Sequence, residues 1–183
     1  MPSKIISFSL DAGSVERAIR EVERYAEELR SKMGELIQRL VDDGKNIAKA
    51  QIVQYDAIFT SSLLSSIDGY YNEDTRTGFI VAGAPHAIFV EYGTGIVGAG
   101  SSHPEMDGMW APPPGEYTKY DTNEHGSAGW WYPALHGWYI PKHGDGSVKL
   151  AWTSGMPSRP FMYGTFKQLE RLSVDIYNEL FSK

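Results

Sequence analysis

Two interleaved seven-residue series of apolar side chains constrain this chain more than any other feature. Val15, Val22, Leu29 and Leu36 form one series; Ile19, Ala26, Met33, Leu40 and Ile47 form the other. At helical periodicity the two series merge into a single apolar stripe, which predicts a long helix over 14–54. Arg17, Arg20, Glu21, Arg24, Glu27, Glu28 and Lys32 fall on the opposite face, where i,i+4 pairs support a solvated surface. One unbroken helix of that span is about 60 Å long at 1.5 Å per residue. A compact domain of this chain length has a radius of gyration of only about 16 Å. The helix must therefore break, with Gly34 and Asp42-Asp43-Gly44 as break points, or project and pack on another subunit. The apolar phase continues through both sites, which favours one long or gently kinked helix.

The rest of the chain reads as α+β in one domain, 1–183, with no internal repeat. Ile6, Phe8 and Leu10 alternate with Ser7 and Ser9 and predict an opening strand over 4–10. Asp11-Ala12-Gly13-Ser14 then forms a turn, with Ser14 as the expected N-cap of the long helix. A short helix or turn at 60–67 precedes a β-meander that extends to residue 93. Its strands are Tyr70-Tyr71 before the polar turn Asn72-Glu73-Asp74-Thr75, Phe79-Ile80-Val81, and Ile88-Phe89-Val90-Glu91-Tyr92. Residues 94–153 read as an extended Gly/Pro-rich loop, with one further strand possible at 147–152. The region 93–155 contains all five tryptophans and four of the five histidines. Ala111-Pro112-Pro113-Pro114-Gly115 and Trp130-Trp131-Tyr132-Pro133 rule out regular helix or central strand there. Loops of this length are usually functional or order against a partner. A C-terminal helix over 160–182 follows, packed on the sheet. Its first residue is Pro160 and its apolar face is Met162, Phe166, Leu169, Leu172, Ile176 and Leu180.

Composition narrows the function classes. The net charge of −6 opposes a nucleic-acid binder that works by neutralising phosphates. The absence of cysteine removes disulfides, thiolate zinc sites and a Cys nucleophile. No apolar run reaches the ~20 residues of a membrane span, and residues 1–10 lack the apolar core of a signal peptide. His103, His125, His136 and His143 share the long loop with Glu105, Asp107 and Asp121, but no pair has helical metal-ligand spacing. A glycosidase needs two carboxyls facing one cleft; Glu105, Asp107, Glu116 and Asp121 are candidate mates for Glu91, but no spacing fixes their geometry. The plainer expectation for Glu91 is an Arg partner, or capping of backbone groups at a subunit contact. No nucleophile elbow is present. Gly93-Thr94-Gly95-Ile96-Val97-Gly98 is not followed by a helical pattern, so a dinucleotide site lacks its required context. No catalytic residue, cofactor or metal is assigned, and the chain is expected not to be an enzyme.

Two short motifs carry more information. Phe89-Val90-Glu91-Tyr92-Gly93-Thr94-Gly95 is followed, after the variable loop, by Arg159-Pro160-Phe161. The pairing resembles the gene-product-ten family of the lambdoid phage Hong Kong 97, which contains head–tail joining and tail-completion proteins of long-tailed phages. Leu63-Leu64-Ser65-Ser66-Ile67 is similar to a further family element. The preceding Pro-x-Asp-Thr-Gly is replaced here by Tyr55-Asp56-Ala57-Ile58-Phe59-Thr60, which leaves that turn open. The resemblance covers residues 30–183 and implies a structural virion protein of the tail or neck, assembled in the bacterial cytoplasm. It implies a sixfold ring that meets tail-terminator or tail-tube proteins on one side and head-closure or adaptor proteins on the other. Phe89, Glu91, Tyr92, Gly93, Thr94, Gly95, Arg159, Pro160 and Phe161 are then interface or structural positions. Phe161 is expected in the core, and Arg159 is expected to pair with a carboxylate, Glu91 being the candidate. Trp130, Trp131 and Trp138 would anchor the loop on a neighbour. Two other readings stay open: a carbohydrate- or peptide-binding module built on those tryptophans, and a cell-wall hydrolase.

Overall fold

The computed structural model describes residues 5–57, 61–101, 103–105, 129–138 and 150–182. The apolar stripe forms one continuous helix, α1, Ala12–Gln54, of 43 residues and therefore roughly 65 Å long. Its N-cap is Asp11 rather than Ser14. The Asp11 side chain accepts from the Ser14 N–H at 2.9 Å, and the Ser9 hydroxyl donates to the same carboxylate. Those bonds, Ser9 first and then the Ser14 N–H, hold the Asp11 carboxyl below the usual carboxylate range.

Neither expected break point breaks the helix, because tertiary contacts use its glycine. Gly44 is buried where Ile80 and Leu169 converge from two other elements, and a Cβ there would collide with both. The cost of glycine in a helix interior is roughly 1 kcal/mol, and close packing offsets it.

After the short helix α2 (Ser62–Ser65), strands β1 (Ile67–Asn72) and β2 (Thr77–Ala82) form an antiparallel hairpin, with Tyr70 opposite Phe79 and Gly69 opposite Ile80. The hairpin lies on α1 through its glycines: a Cβ at position 78 would stand 2.6 Å from Val41 Cγ2 and 2.8 Å from Ile37 Cγ2. Both neighbours are β-branched and cannot swing aside freely. Gly78→Val is therefore expected to destabilise the protein by about 1–3 kcal/mol in urea unfolding, despite the better strand propensity of valine. A gain in stability would contradict this contact.

The third expected strand is instead a helix, α3 (Ala87–Tyr92). Ala87, Val90 and Glu91 are buried while Ile88 and Phe89 are 59% and 53% exposed. That burial follows i, i+3, i+4 rather than alternation. Pro85 presets a helical φ just ahead, the Val90 N–H reaches His86 O at 3.2 Å, and Gly93 ends the turn. A second short helix, α4 (Gly95–Ala99), follows where loop was expected.

The long loop is also interrupted by β3 (Trp130–Trp138) and β4 (Leu150–Thr153), paired antiparallel with Trp130 opposite Thr153 and Trp131 opposite Trp152. Pro133 is tolerated because a two-stranded ribbon has only edge strands. Leu150 pairs with both Pro133 and Trp138, so the register slips there. The two-residue β5 (Gly155–Met156) bridges back to Thr94 and Gly95.

The last helix, α5 (Phe161–Phe181), has Pro160 one residue earlier than expected, at the N-cap position. It runs antiparallel to α1. Gly164 lies against Gln51 and Leu169 against Gly44, and Lys32 Nζ sits 5.8 Å above the Phe181 ring. The fold is thus α+β: a long helix, a small antiparallel hairpin, and a C-terminal helix packed along them. One apolar cluster surrounds Ala48, Ile52, Leu63, Ile67, Val90 and Phe161; a second joins Leu36, Ile176 and Phe181 with Leu29, Leu40, Leu172 and Leu180 at its border.

Two segments stay outside these clusters. Residues 5–10 are irregular rather than a strand: among the described residues no strand edge lies within their reach. Ile5 and Leu10 are 87% and 97% exposed. Residues 12–28 of α1 run about 25 Å past the end of α5, and their stripe residues Ile19 and Val22 are more than half exposed.

Candidate functional site at the Glu91 junction

The two sequence motifs, nearly 70 residues apart, meet in space through backbone and side chain. The Arg159 N–H donates to Val90 O at 2.8 Å, and the Ser158 hydroxyl donates to Glu91 O at 2.6 Å. The Met156 N–H donates to Thr94 Oγ1 at 3.1 Å, and Thr94 and Gly95 bridge Met156 and Gly155. Gly93 has φ +76, and a Cβ on it would stand 2.6 Å from Ser158 N and 2.9 Å from Met156 O. Glycine is required there both by conformation and by space.

Glu91 sits at the centre, 6% exposed. Its Oε2 accepts from the Met162 N–H at 2.8 Å, and its Oε1 accepts from the Tyr163 N–H at 2.9 Å. These are first-turn donors of α5, which have no partner within their own helix, and the positive end of the helix dipole faces the carboxylate. His103 Nε2 lies 3.0 Å from Oε1, and His103 Nδ1 accepts from the Glu105 N–H at 3.2 Å. With Nδ1 an acceptor, the ring proton belongs on Nε2 and is donated to Glu91. The imidazole is held between Tyr92 and Tyr163, at ring-centroid distances of 4.6 and 5.3 Å.

Arg159 does not pair with Glu91; this corrects the expected ion pair. The first turn of α5 and His103 occupy the carboxylate, and Arg159 contributes its backbone. The capping expectation for Glu91 holds in substance, with the capped groups in the same chain. Phe161 is fully buried, as expected. Phe89 faces outward. Trp130, Trp131 and Trp138 lie on β3, which pairs with β4 just ahead of the β5 bridge to Thr94 and Gly95. The carboxylate partner that sequence reasoning missed is His103. Its signal was faint: one histidine in a Gly/Ser-rich stretch, twelve residues after Glu91.

Beside the junction runs an open groove of about 490 Å³. Ile80, Val81 and Ala82 of β2 form one wall, α3 and the start of α5 form the others, and Glu91 and His103 lie at its base. With both oxygens of Glu91 engaged by donors, the arrangement positions α5 rather than offering a reactive group. Among the described residues no cluster of three His, Cys, Asp or Glu side chains is placed to hold a metal. His125, His143, Asp107, Glu116 and Asp121 lie outside the described residues. Among the described residues no helix is long and apolar enough to cross a membrane. No protein-family model, curated protein or solved structure matches the chain.

Proposed function

We propose that this chain is a structural virion protein of a long-tailed phage or prophage, a tail-completion or neck component that forms a ring at the tail–head junction. The observation that carries the reading is the uncovered first third of α1. Its stripe continues, in phase, the same stripe that α5 covers between Leu29 and Ile52, then runs on through Val22 and Ile19, each more than half exposed, to the half-buried Val15, with Phe8 of the same chain beside them. An apolar face continuous with a packed core and left open marks an interface. The resemblance of the two motifs names the kind of assembly, and their junction supports a structural role: a buried carboxylate is spent on fixing one helix against another.

In the proposed ring the subunits are identical, six by the resemblance. One ring face meets tail-terminator or tail-tube proteins and the other meets head-closure proteins. Light scattering and negative-stain microscopy on the purified protein, with mass spectrometry of purified particles, test this. Rings in solution or on tails, and the chain present in virions, are expected. A monomer that is absent from virions overturns the reading, and saturable sugar or peptide binding by that monomer would favour a binding module.

A further inference from the structure

Residues 5–10 carry the pattern of a strand and pair with no strand among the described residues, and β2 presents an edge that no described residue pairs with. Ile6, Phe8 and Leu10 alternate with Ser7 and Ser9, which suits a half-buried strand. In the folded chain this segment is irregular and largely exposed, with Ile6 half-buried and Phe8, 59% exposed, beside Val15, Ile19 and Val22 of its own α1. Among the described residues β2 pairs only with β1, so its other edge offers unpaired N–H and C=O groups. Three consecutive β2 residues, Ile80, Val81 and Ala82, line the 490 Å³ groove. Its walls include Ile80, Ala82, Ile88, Phe161 and Phe166, a volume and lining suited to two or three large apolar side chains.

The segment cannot reach this groove in its own chain. The groove lies abreast of Gly44, where Ile80 meets α1. From Ala12 to Gly44 the helix rises about 48 Å. Residues 5–11 span at most about 25 Å when fully extended. The Ser9–Asp11–Ser14 cap also fixes the point from which the segment leaves α1. Charge agrees with a contact in trans. Lys4 is the one charged residue in 1–10, while the groove is lined by Glu91 and Glu105, with Lys167 as the nearest cation, over the Phe166 ring at 5.4 Å.

We propose that residues 5–10 of one copy add as a strand to the open edge of β2 in the next copy, seating Ile6 and Phe8 in the groove with Leu10 at its rim. Main-chain bonds supply the ladder and alternate side chains supply the fit. The donor surface and the acceptor surface differ, so the contact is head-to-tail, which is the geometry that closes a ring. The inference rests on the ring reading for its closure and adds the contact that joins neighbours.

The absence of cysteine makes a clean test possible. Ser7→Cys is prepared in one full-length sample; Val81→Cys and Phe79→Cys, on the outward face of β2, are prepared in two others. Each β2 variant is mixed with the Ser7→Cys protein and oxidised, one partner carrying a mass tag. A disulfide between differently tagged chains is expected with one of the two β2 positions. Phe8→Asp, at the seat of the contact, is expected to lower the assembly mass while the helical circular-dichroism signal is unchanged. Intact oligomers without mixed disulfides at either position overturn the inference and leave the ring standing. A chain that stays monomeric both alone and with purified tails overturns both.

Discussion

Glu91→Ala is expected to cost about 3–5 kcal/mol of folding stability, the penalty typical of removing one partner from a buried, charged hydrogen-bonded group. The substitution strips acceptors from the Met162 and Tyr163 N–H groups and from His103 Nε2 in a place water does not reach freely. At this chain length each kcal/mol lowers the melting temperature by roughly 2–4 °C, so calorimetry resolves the effect easily. Glu91→Gln keeps the shape but turns an NH₂ toward a donor, and is expected to cost about 1–3 kcal/mol. A double-mutant cycle with His103→Ala should give a coupling of about 0.5–3 kcal/mol. A loss below about 1 kcal/mol for Glu91→Ala would mean that the carboxylate is solvated and that α5 is positioned by other contacts.

Phe161→Ala should be comparably severe, about 3–5 kcal/mol, because the ring is fully buried among Ile52, Leu63, Val90 and their neighbours. Its position magnifies the effect: the Phe161 carbonyl accepts the buried Thr165 hydroxyl at 2.7 Å, so a shift in the first turn propagates into α5. Phe161→Leu preserves most of the volume and should recover more than half of the loss. A small effect of the alanine variant in denaturant unfolding would contradict a packed junction.

The elements with long, regular patterns were legible in the sequence. The heptad series of α1, the apolar face of α5, the Asn72–Thr75 turn and the burial of Phe161 all follow from spacing. The errors occur where local propensity and tertiary context disagree. Ile88-Phe89-Val90 favours a strand residue by residue, yet the cluster around Leu63 accepts only Ala87 and Val90, and Glu91 must point at α5. A helix satisfies both demands and a strand satisfies neither. Pro133 argued against a strand, but an edge ribbon with a register slip accommodates it. Residues 5–10 have the right alternation and lack a ladder among the described residues. At the junction, Glu91 was recognisable as a charge in an apolar run. Its partners were not, because two are backbone groups of α5 and the third, His103, is brought in by a turn that no periodicity encodes.

The uncovered stripe of α1 as a subunit interface is tested most directly by native mass spectrometry of the wild-type protein beside Val22→Asp. Val22 is 53% exposed and lies beyond the end of α5, so the substitution leaves the fold's own clusters untouched. The wild type should appear as a single closed oligomer, alone or on addition of purified tails. Val22→Asp should be monomeric in both settings, with the same helical circular-dichroism signal. A wild-type protein that is monomeric with and without tails, or a Val22→Asp variant that assembles as the wild type does, would contradict the account.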